Sequence, residues 1–419
     1  MLALADGNCF YVSCERVFNP RLRRRAVVVL SNNDGCAISL SDEAKALGVV
    51  MGMPAFMIRD KFGDKVICLS SNYQLYGDMS DRMMKIFEMY SDEVEVYSID
   101  EGWLNLSGIT YQDKLEYGMK LRKEVMQKID IPISVGIGAT KVLAKMANKF
   151  VKKKRKHLGV HWAANAYLVD EMLQATEVSD VWGIGREYGK KLVLNSIQTA
   201  YQLRDAPEEF VRKNMNVTGQ RLWHELHGTA AIKWKLEPEP KKGITVSRSF
   251  GKLQIELHEI KEALCNHAAS CASKLRQQKS CATEMRVFIM TNKHRSQDKQ
   301  YDRSIRIQLE KATNNTGDII RYASKALDII FKPGFNYLKT GIDVGGLKPE
   351  DCTQNNLFMQ ADDSKKKLAM KALDGINYRY GKDTMVHAVQ GFKKEYKARA
   401  DYLSPLYTTD INQIYVIKH

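Results

Sequence analysis

Short apolar runs alternate with stretches of helical spacing through the first 165 or so residues. Runs at 2–5, 27–30, 94–99, 103–106 and 131–137 have the length and apolar content of strands with buried faces. Leu121, Val125 and Ile129 recur four apart, which predicts a helix over 111–129. Val142, Leu143, Met146 and Ala147 predict another, starting near Thr140. The run Lys152-Lys153-Lys154-Arg155-Lys156 breaks that periodicity, as at a helix end leading into an exposed connection. A mixed α/β region thus ends near 165.

From 166 to 232 the pattern changes to short helices punctuated by Gly183, Gly185, Gly219 and Gly228, with no convincing strand. Residues 235–243 hold Pro238 and Pro240 among charges, an extended linker by composition. Beyond it, strands at 244–250, 284–290 and 304–309 and helices at 258–277 and 318–331 predict an α+β unit reaching 348. Residues 349–419 are polar and lysine-rich and read as partly irregular. No internal repeat is visible.

Composition adds scale and a partner class. A chain of 419 residues exceeds one ordinary core, so several domains are expected. With 44% hydrophobic and 27% charged residues it has the make-up of a folded soluble protein. Lysine plus arginine exceed aspartate plus glutamate by 64 to 49, a formal charge of +15 that suits a polyanion such as nucleic acid. Ribosomal, membrane-surface and heparin-binding proteins share that excess, so it names no reaction. Eight cysteines without a Cys-x-x-Cys pair argue for reduced thiols and against a zinc ribbon. The run Leu2-Ala3-Leu4-Ala5 stops at Asp6, short of a signal-peptide core, and no stretch approaches a spanning helix. The expectation is a cytoplasmic protein without membrane contact.

The candidate chemistry lies in three carboxylates. Asp6 ends the first strand, and Asp100 with Glu101 ends the strand before Trp103. Adjacent strand residues point to opposite faces, so Asp100 and Glu101 could share an ion only where the chain bends into a hairpin. Nucleotidyl transfer by two magnesium ions needs such carboxylates, because Mg²⁺ takes hard oxygen ligands and few protein carboxylates per ion. Taken singly, the same residues read better as a solvated hairpin turn and a helix N-cap, both frequent uses of these residue types.

Asp6-Gly7-Asn8-Cys9-Phe10-Tyr11, with Ser98-Ile99-Asp100-Glu101 and Ser134-Val135-Gly136-Ile137, resembles the Y-family of translesion DNA polymerases in order and spacing. Leu30-Ser31-Asn32-Asn33-Asp34-Gly35-Cys36, Ser70-Ser71-Asn72-Tyr73, Ser247-Arg248-Ser249-Phe250-Gly251 and Leu403-Ser404-Pro405 are similar to its UmuC branch, the catalytic subunits of bacterial DNA polymerase V. The resemblance implies a multidomain α+β right-hand polymerase. Its ferredoxin-like palm would be 1–20 and 78–165, its small fingers 21–77, and its helix-hairpin-helix thumb 166–234. A linker at 235–243, an α+β little finger at 244–348 and a tail at 349–419 would follow. It further implies that Asp6, Asp100 and Glu101, with the Gly7 carbonyl, hold two Mg²⁺ ions, Mn²⁺ being a possible substitute. Tyr11 would be the steric gate against a ribose 2′-hydroxyl, Phe10 would line the same pocket, and Lys45 and Lys152 would contact the incoming triphosphate. Three positions depart from the pattern. Asp42 replaces a common tyrosine and is a poor phosphate ligand, Lys45 replaces an arginine, and Gly102 replaces alanine, read as backbone tolerance.

Val181-Trp182-Gly183-Ile184-Gly185, followed by Lys190, resembles a helix-hairpin-helix whose glycines aim backbone amides at a DNA phosphate. Arg248, Arg286 and Arg306 would bind template backbone from the little finger. Gln354-Asn355-Asn356-Leu357-Phe358 resembles the pentapeptide that bacterial polymerases insert into the sliding clamp, with Gln354, Leu357 and Phe358 as anchors. The implied partners are primer-template DNA, dNTP, a processed UmuD-like dimer, a recombinase filament and the clamp. The implied activity is error-prone synthesis in the SOS DNA-damage response, and the recognised regions leave no room for an exonuclease. Two other readings stay open: a palm-type nucleotide cyclase, and a non-catalytic regulator that binds clamp or recombinase.

Overall fold

The computed structural model describes residues 1–109, 113–237, 239–352, 363–391 and 398–413. The chain forms two units, Met1–Pro238 with Asp401–His419, and Glu239–Ala400.

In the first unit a five-stranded sheet runs in the order Val94–Val96, Glu101–Asn105, Leu2–Gly7, Ile133–Gly138, Val160–Trp162. The apolar Leu2–Gly7 strand is buried on both faces, and its two neighbours run antiparallel to it. Ala3 and Ala5 share a core with Leu104 and Ile137 and with residues of helices Tyr73–Glu88 and Lys114–Ile129. Leu4 and Trp103 meet Ala144 of helix Lys141–Lys154 on the other face. Glycine lets that helix approach. A Cβ on Gly136 would stand 2.1 Å from the Asn148 amide nitrogen and 2.2 Å from the Ala144 carbonyl.

The expected elements here are present with shifted ends. The helix begins at Lys114 because the Asp113 carboxylate caps it, accepting from the Leu115 amide at 2.8 Å. The strand expected over 94–99 stops at Val96, since the Tyr97 and Ser98 amides both turn back to the Glu101 carbonyl at 3.1 Å. Glu101 therefore opens the next strand instead of closing the previous one, and Asp100 lies in the hairpin loop.

A three-stranded sheet places Ala26–Leu30 between antiparallel Ala37–Leu40 and parallel Val66–Ser70, over its own small core. Helices Ala166–Gln174, Arg186–Leu194, Ala200–Asp205 and Glu208–Leu226 share a further core with the Val142 and Leu143 side of helix Lys141–Lys154.

The second unit is an antiparallel sheet in the order Asp302–Thr313, Ser280–Thr291, Tyr337–Gly345, Ile244–Gln254. Helices Leu257–Gln277 and Thr316–Ile330 cover one face. The Tyr337–Gly345 strand has no counterpart in the expected pattern, because Lys339, Gly341, Asp343 and Gly345 interrupt its apolar positions. Gly341 is a packing requirement: a Cβ there would stand 2.4 Å from both the Phe288 ring and the Ser247 side chain. The polar tail, expected to be partly irregular, carries an 18-residue helix, Asp363–Tyr380. Arg276 pins it through two bonds to Asp374, at 2.6 and 2.7 Å. Gln354, Leu357 and Phe358 lie outside the described residues. Among the described residues, no helix is long and apolar enough to cross a membrane.

Candidate active site

Asp6 and Glu101 are directly paired across adjoining strands, on the face shared with Leu4 and Trp103. Two carboxylates are thus forced together beneath helix Lys141–Lys154, and that helix answers with a row of lysines. Lys141 pairs with Glu95 at 2.6 Å, Lys145 with Glu101 at 2.7 Å, Lys149 with Asp180 at 2.7 Å, and Lys152 with Asp6. The spacing of four, four and three puts all four on one helical face. Burial pushes the Asp6 carboxyl up to about 7; the Lys152 ammonium pulls it down, and the adjacent Glu101 pushes it up again. A cavity of about 360 Å³ lies here, with Asp6, Glu101, Lys145, Lys152, Asp180 and Trp182 in its lining.

Asp100 approaches from the loop. The Gly7 amide donates to the Asp100 carbonyl at 2.8 Å, and the Asp100 carboxylate accepts from the Ser98 hydroxyl at 2.5 Å. Its charge is felt by Tyr11, whose hydroxyl is pushed up by burial, by Tyr73 and by Asp100. Among the described residues no three His, Cys, Asp or Glu side chains converge as a preformed metal cage. The donors nevertheless fit a hard divalent cation: Asp6 and Glu101 are adjacent carboxylates, burial and the neighbouring Glu101 disfavour the charge on Asp6, and a cation relieves both.

Tyr11 lies in the first turn of helix Phe10–Phe18, behind Cys9 in the left-handed region at φ 48°. Its ring stacks on Tyr76 with centroids 4.4 Å apart and meets the edge of Tyr73 at 6.1 Å. Phe10 is 3% exposed, in the core that Tyr11 packs against, with its ring centroid 6.0 Å from that of Tyr11. A Cβ on Gly7 would stand 2.9 Å from the Phe10 ring.

Lys45 contacts the Cys9 sulfur and the Asp42 carboxylate, each at 3.3 Å, and Lys156 pairs with the other Asp42 oxygen. Burial opposes the Asp42 charge, but Lys156 and Lys45 outweigh it and hold the carboxyl below its usual range. Asp42 therefore holds two cations together, a role consistent with its being a poor phosphate ligand. Gly102 differs from the expected backbone tolerance: it is buried, and a Cβ there would stand 2.9 Å from the Phe87 ring and 3.2 Å from the Met84 sulfur.

Gly183 has φ 95°, which explains glycine at that turn, and Gly185 is the N-cap of helix Arg186–Leu194. Trp182 points back to the sheet, donating to the Tyr97 hydroxyl at 3.2 Å. Lys190 is exposed and pairs with Glu187 at 3.4 Å. In the second unit Arg286 and Arg306 are direct cross-strand partners on the face opposite the helices, with Asp343 beside Arg286 at 2.5 Å. Arg248 lies in register with buried Thr340, on the helix side, and borders a cavity with His267. The three arginines thus divide between two faces. Lys145, Lys149, Tyr76 and Asp180 are the site residues that the sequence did not single out.

Among solved structures, a Dbh–Dpo4 chimera of Y-family DNA polymerases matches 83% of this chain and 98% of its own, with a TM-score of 0.66 at 18% identity. An insertion ternary complex of Dbh DNA polymerase matches with a TM-score of 0.52 at 20% identity, covering 82% and 98%. The fold is therefore the right-hand, multidomain α+β fold of Y-family polymerases. Residues 5–149 match the impB/mucB/samB family, 241–357 that family's C-terminal domain, and 367–417 a domain of unknown function, DUF4113. Protein SamB of Salmonella typhimurium is 40% identical over 414 residues, 98% of this chain and 97% of SamB. Protein UmuC of Salmonella typhimurium strain LT2 is 37% identical over 425 residues, 100% of each chain. DNA polymerase IV 2 of Bacillus subtilis strain 168 is 26% identical over 422 residues, 96% of this chain and 98% of that protein. The chain belongs to the impB/mucB/samB family of Y-family DNA polymerases and is UmuC-like over its full length.

Proposed function

We propose that the chain is the catalytic subunit of an error-prone translesion polymerase that extends a primer 3′-hydroxyl with dNTPs and does not proofread. The observation that carries this is the Asp6–Glu101 pair on adjoining strands, with Asp100 tethered beside Gly7 in the intervening loop. Asp6, Asp100, Glu101 and the Gly7 carbonyl would hold two magnesium ions, which when bound neutralise phosphate charge and acidify the attacking hydroxyl. Lys145 and Lys152 compensate the two partly buried carboxylates. Tyr11, braced on Tyr76, would close the space of a 2′-hydroxyl. Lys45, steered by Asp42, and Lys152 supply positive charge for the triphosphate.

On this reading 1–20 and 78–165 are the palm, 21–77 the fingers, 166–234 the thumb and 244–348 the little finger. The amides at Gly183 and Gly185, with Lys190, would hold DNA phosphates, and Arg286 and Arg306 would do so from the open sheet face. The protein would act in the cytoplasm during the SOS response, with a processed UmuD-like dimer, a recombinase filament and the sliding clamp as partners.

Primer extension with Mg²⁺ and dNTPs, on intact and abasic templates and with and without a UmuD-like partner, tests the proposal. Elongated primer is expected, and loss of it in Asp100→Ala. Cyclic nucleotide without primer growth, or an Asp100→Ala variant that extends as well as the parent, would overturn it.

A further inference from the structure

Apart from the Tyr73 ring against Tyr11, three motifs play no part in the chemistry above: Asn33-Asp34-Gly35, Ser70-Ser71-Asn72-Tyr73 and Leu403-Ser404-Pro405. The fold joins them. Asp34 accepts from the Ser70 hydroxyl at 2.6 Å and from the Asp401 amide at 2.8 Å. Ser70 and Tyr402 exchange two bonds of 3.0 Å, one from the Ser70 amide to the Tyr402 carbonyl and one from the Tyr402 amide to the Ser70 hydroxyl. Asn72 caps helix Tyr73–Glu88 by accepting from the Leu75 amide at 3.3 Å. Its Nδ2 donates to the Ser404 hydroxyl at 2.9 Å and to the Pro405 carbonyl at 3.1 Å. Farther on, Tyr407 stacks on Phe18 with centroids 4.9 Å apart, in the core that also holds Phe10.

From Ser404 the bonds run inward. Its hydroxyl donates to Glu15 Oε1 at 3.0 Å, and the same oxygen accepts the Tyr76 hydroxyl at 2.8 Å. Glu15 is 1% exposed and Tyr76 fully buried, so neither has water to replace a lost partner. Burial raises the Glu15 carboxyl, while the two hydroxyl bonds favour its charged form. Donors and acceptors close in one direction: Asn72 to Ser404, Ser404 to Glu15, Tyr76 to Glu15. The far face of this network is the Tyr76 ring, on which Tyr11 stacks.

We propose that residues 401–409, within the matched domain of unknown function, are a strap that positions Tyr11 through Ser404, Glu15 and Tyr76 and so sets discrimination between deoxyribo- and ribonucleotides. The proposal rests on the reading of Tyr11 as the sugar gate. With the Ser404 hydroxyl gone, Glu15 loses one of two donors, Tyr76 is held less firmly, and the Tyr11 ring gains room to retreat. Ser404 is a positioning residue and touches no substrate.

Single-nucleotide insertion by the full-length chain on primed template, with a dNTP and its matching rNTP, tests this. Tyr11→Ala is expected to raise the rNTP/dNTP ratio of kcat/KM. Ser404→Ala and Tyr76→Phe should each raise it about two- to tenfold, the net worth of one hydrogen bond. For Ser404→Ala the gain should come as a lower KM for the rNTP, with kcat for the dNTP within about twofold. Ser404→Thr, which keeps the hydroxyl, should restore the parental ratio. Ser404→Ala should add nothing in a Tyr11→Ala background, because both act through one ring. A ratio that rises in Tyr11→Ala and stays flat in both Ser404→Ala and Tyr76→Phe overturns the strap and leaves the gate standing. Equal loss of dNTP and rNTP insertion in those two variants also overturns it, as a purely structural role. A flat ratio in Tyr11→Ala overturns gate and strap together. If Ser404→Ala does not fold, Tyr76→Phe decides.

Discussion

At the scale of single residues, the site is a balance of two partly buried carboxylates against two lysines. Glu101 and Lys145 are each less than a quarter exposed, so removing the lysine leaves a poorly solvated charge beside Asp6. Lys145→Met keeps the length of the side chain and loses its charge. Its melting temperature in EDTA should fall by about 2–4 °C, equivalent to ~1 kcal/mol in a unit of this size. Millimolar Mg²⁺ should restore more of that loss than it adds to the parent, because a ligand stabilises whichever state binds it. A melting temperature indifferent to Mg²⁺ in both proteins would remove these carboxylates as metal ligands.

At the scale of elements, helix Lys141–Lys154 organises the site, and the strand beneath it is cut to fit. Gly136→Ala would drive a Cβ into the helix backbone at Asn148, where no side chain can swing aside. Such overpacking should cost about 3 kcal/mol, seen in denaturant unfolding, and lower primer extension by displacing Lys145 and Lys152. The apolar side of this helix was legible from Val142, Leu143, Met146 and Ala147. Its lysine row was not, because each partner is remote in sequence: Glu95, Glu101, Asp180 and Asp6. A lysine run in isolation looks solvated. The strand-end position of Asp6 and the hairpin near Asp100 were legible from apolar runs. The register that sets Glu101 opposite Asp6 is a tertiary fact.

Helix Leu257–Gln277 carries a second consequence. His267 is 6% exposed, and burial, then Arg248 and Lys339, push its imidazole down to about 4. Below roughly pH 6.5 the unfolded chain takes up a proton that the folded one refuses until about pH 4. The unfolded state then binds more protons, so stability falls as pH drops through that window, by about 2 kcal/mol at pH 5. His267→Gln should flatten this slope in melts between pH 7 and pH 5. An equal slope in the variant would place the titration elsewhere.

At the scale of the whole molecule, the charge of +15 carries information only through where it lies. The sheet of the second unit buries Met285, Val287 and Ile289 under its helices, so Arg286 and its cross-strand partner Arg306 face outward. Arg248, although exposed, lies on the helix side of the sheet with Ile244, Val246 and Phe250. Alternation along each strand separates residues that their common charge would group together. A phosphate contact releases condensed counterions, so each one lost reduces the slope of log affinity against log salt by about 1. Arg306→Ala, free of the Asp343 pairing that occupies Arg286, should weaken binding of primed DNA equally for unrelated sequences and flatten that slope by this amount. Arg248→Ala should leave the slope unchanged, and titrations of labelled duplex between 50 and 200 mM salt (roughly the range where such slopes are read) compare the two. If Arg248→Ala were the variant to flatten it, DNA would lie against the edge and helix side of the sheet, and the open face would lose its assignment.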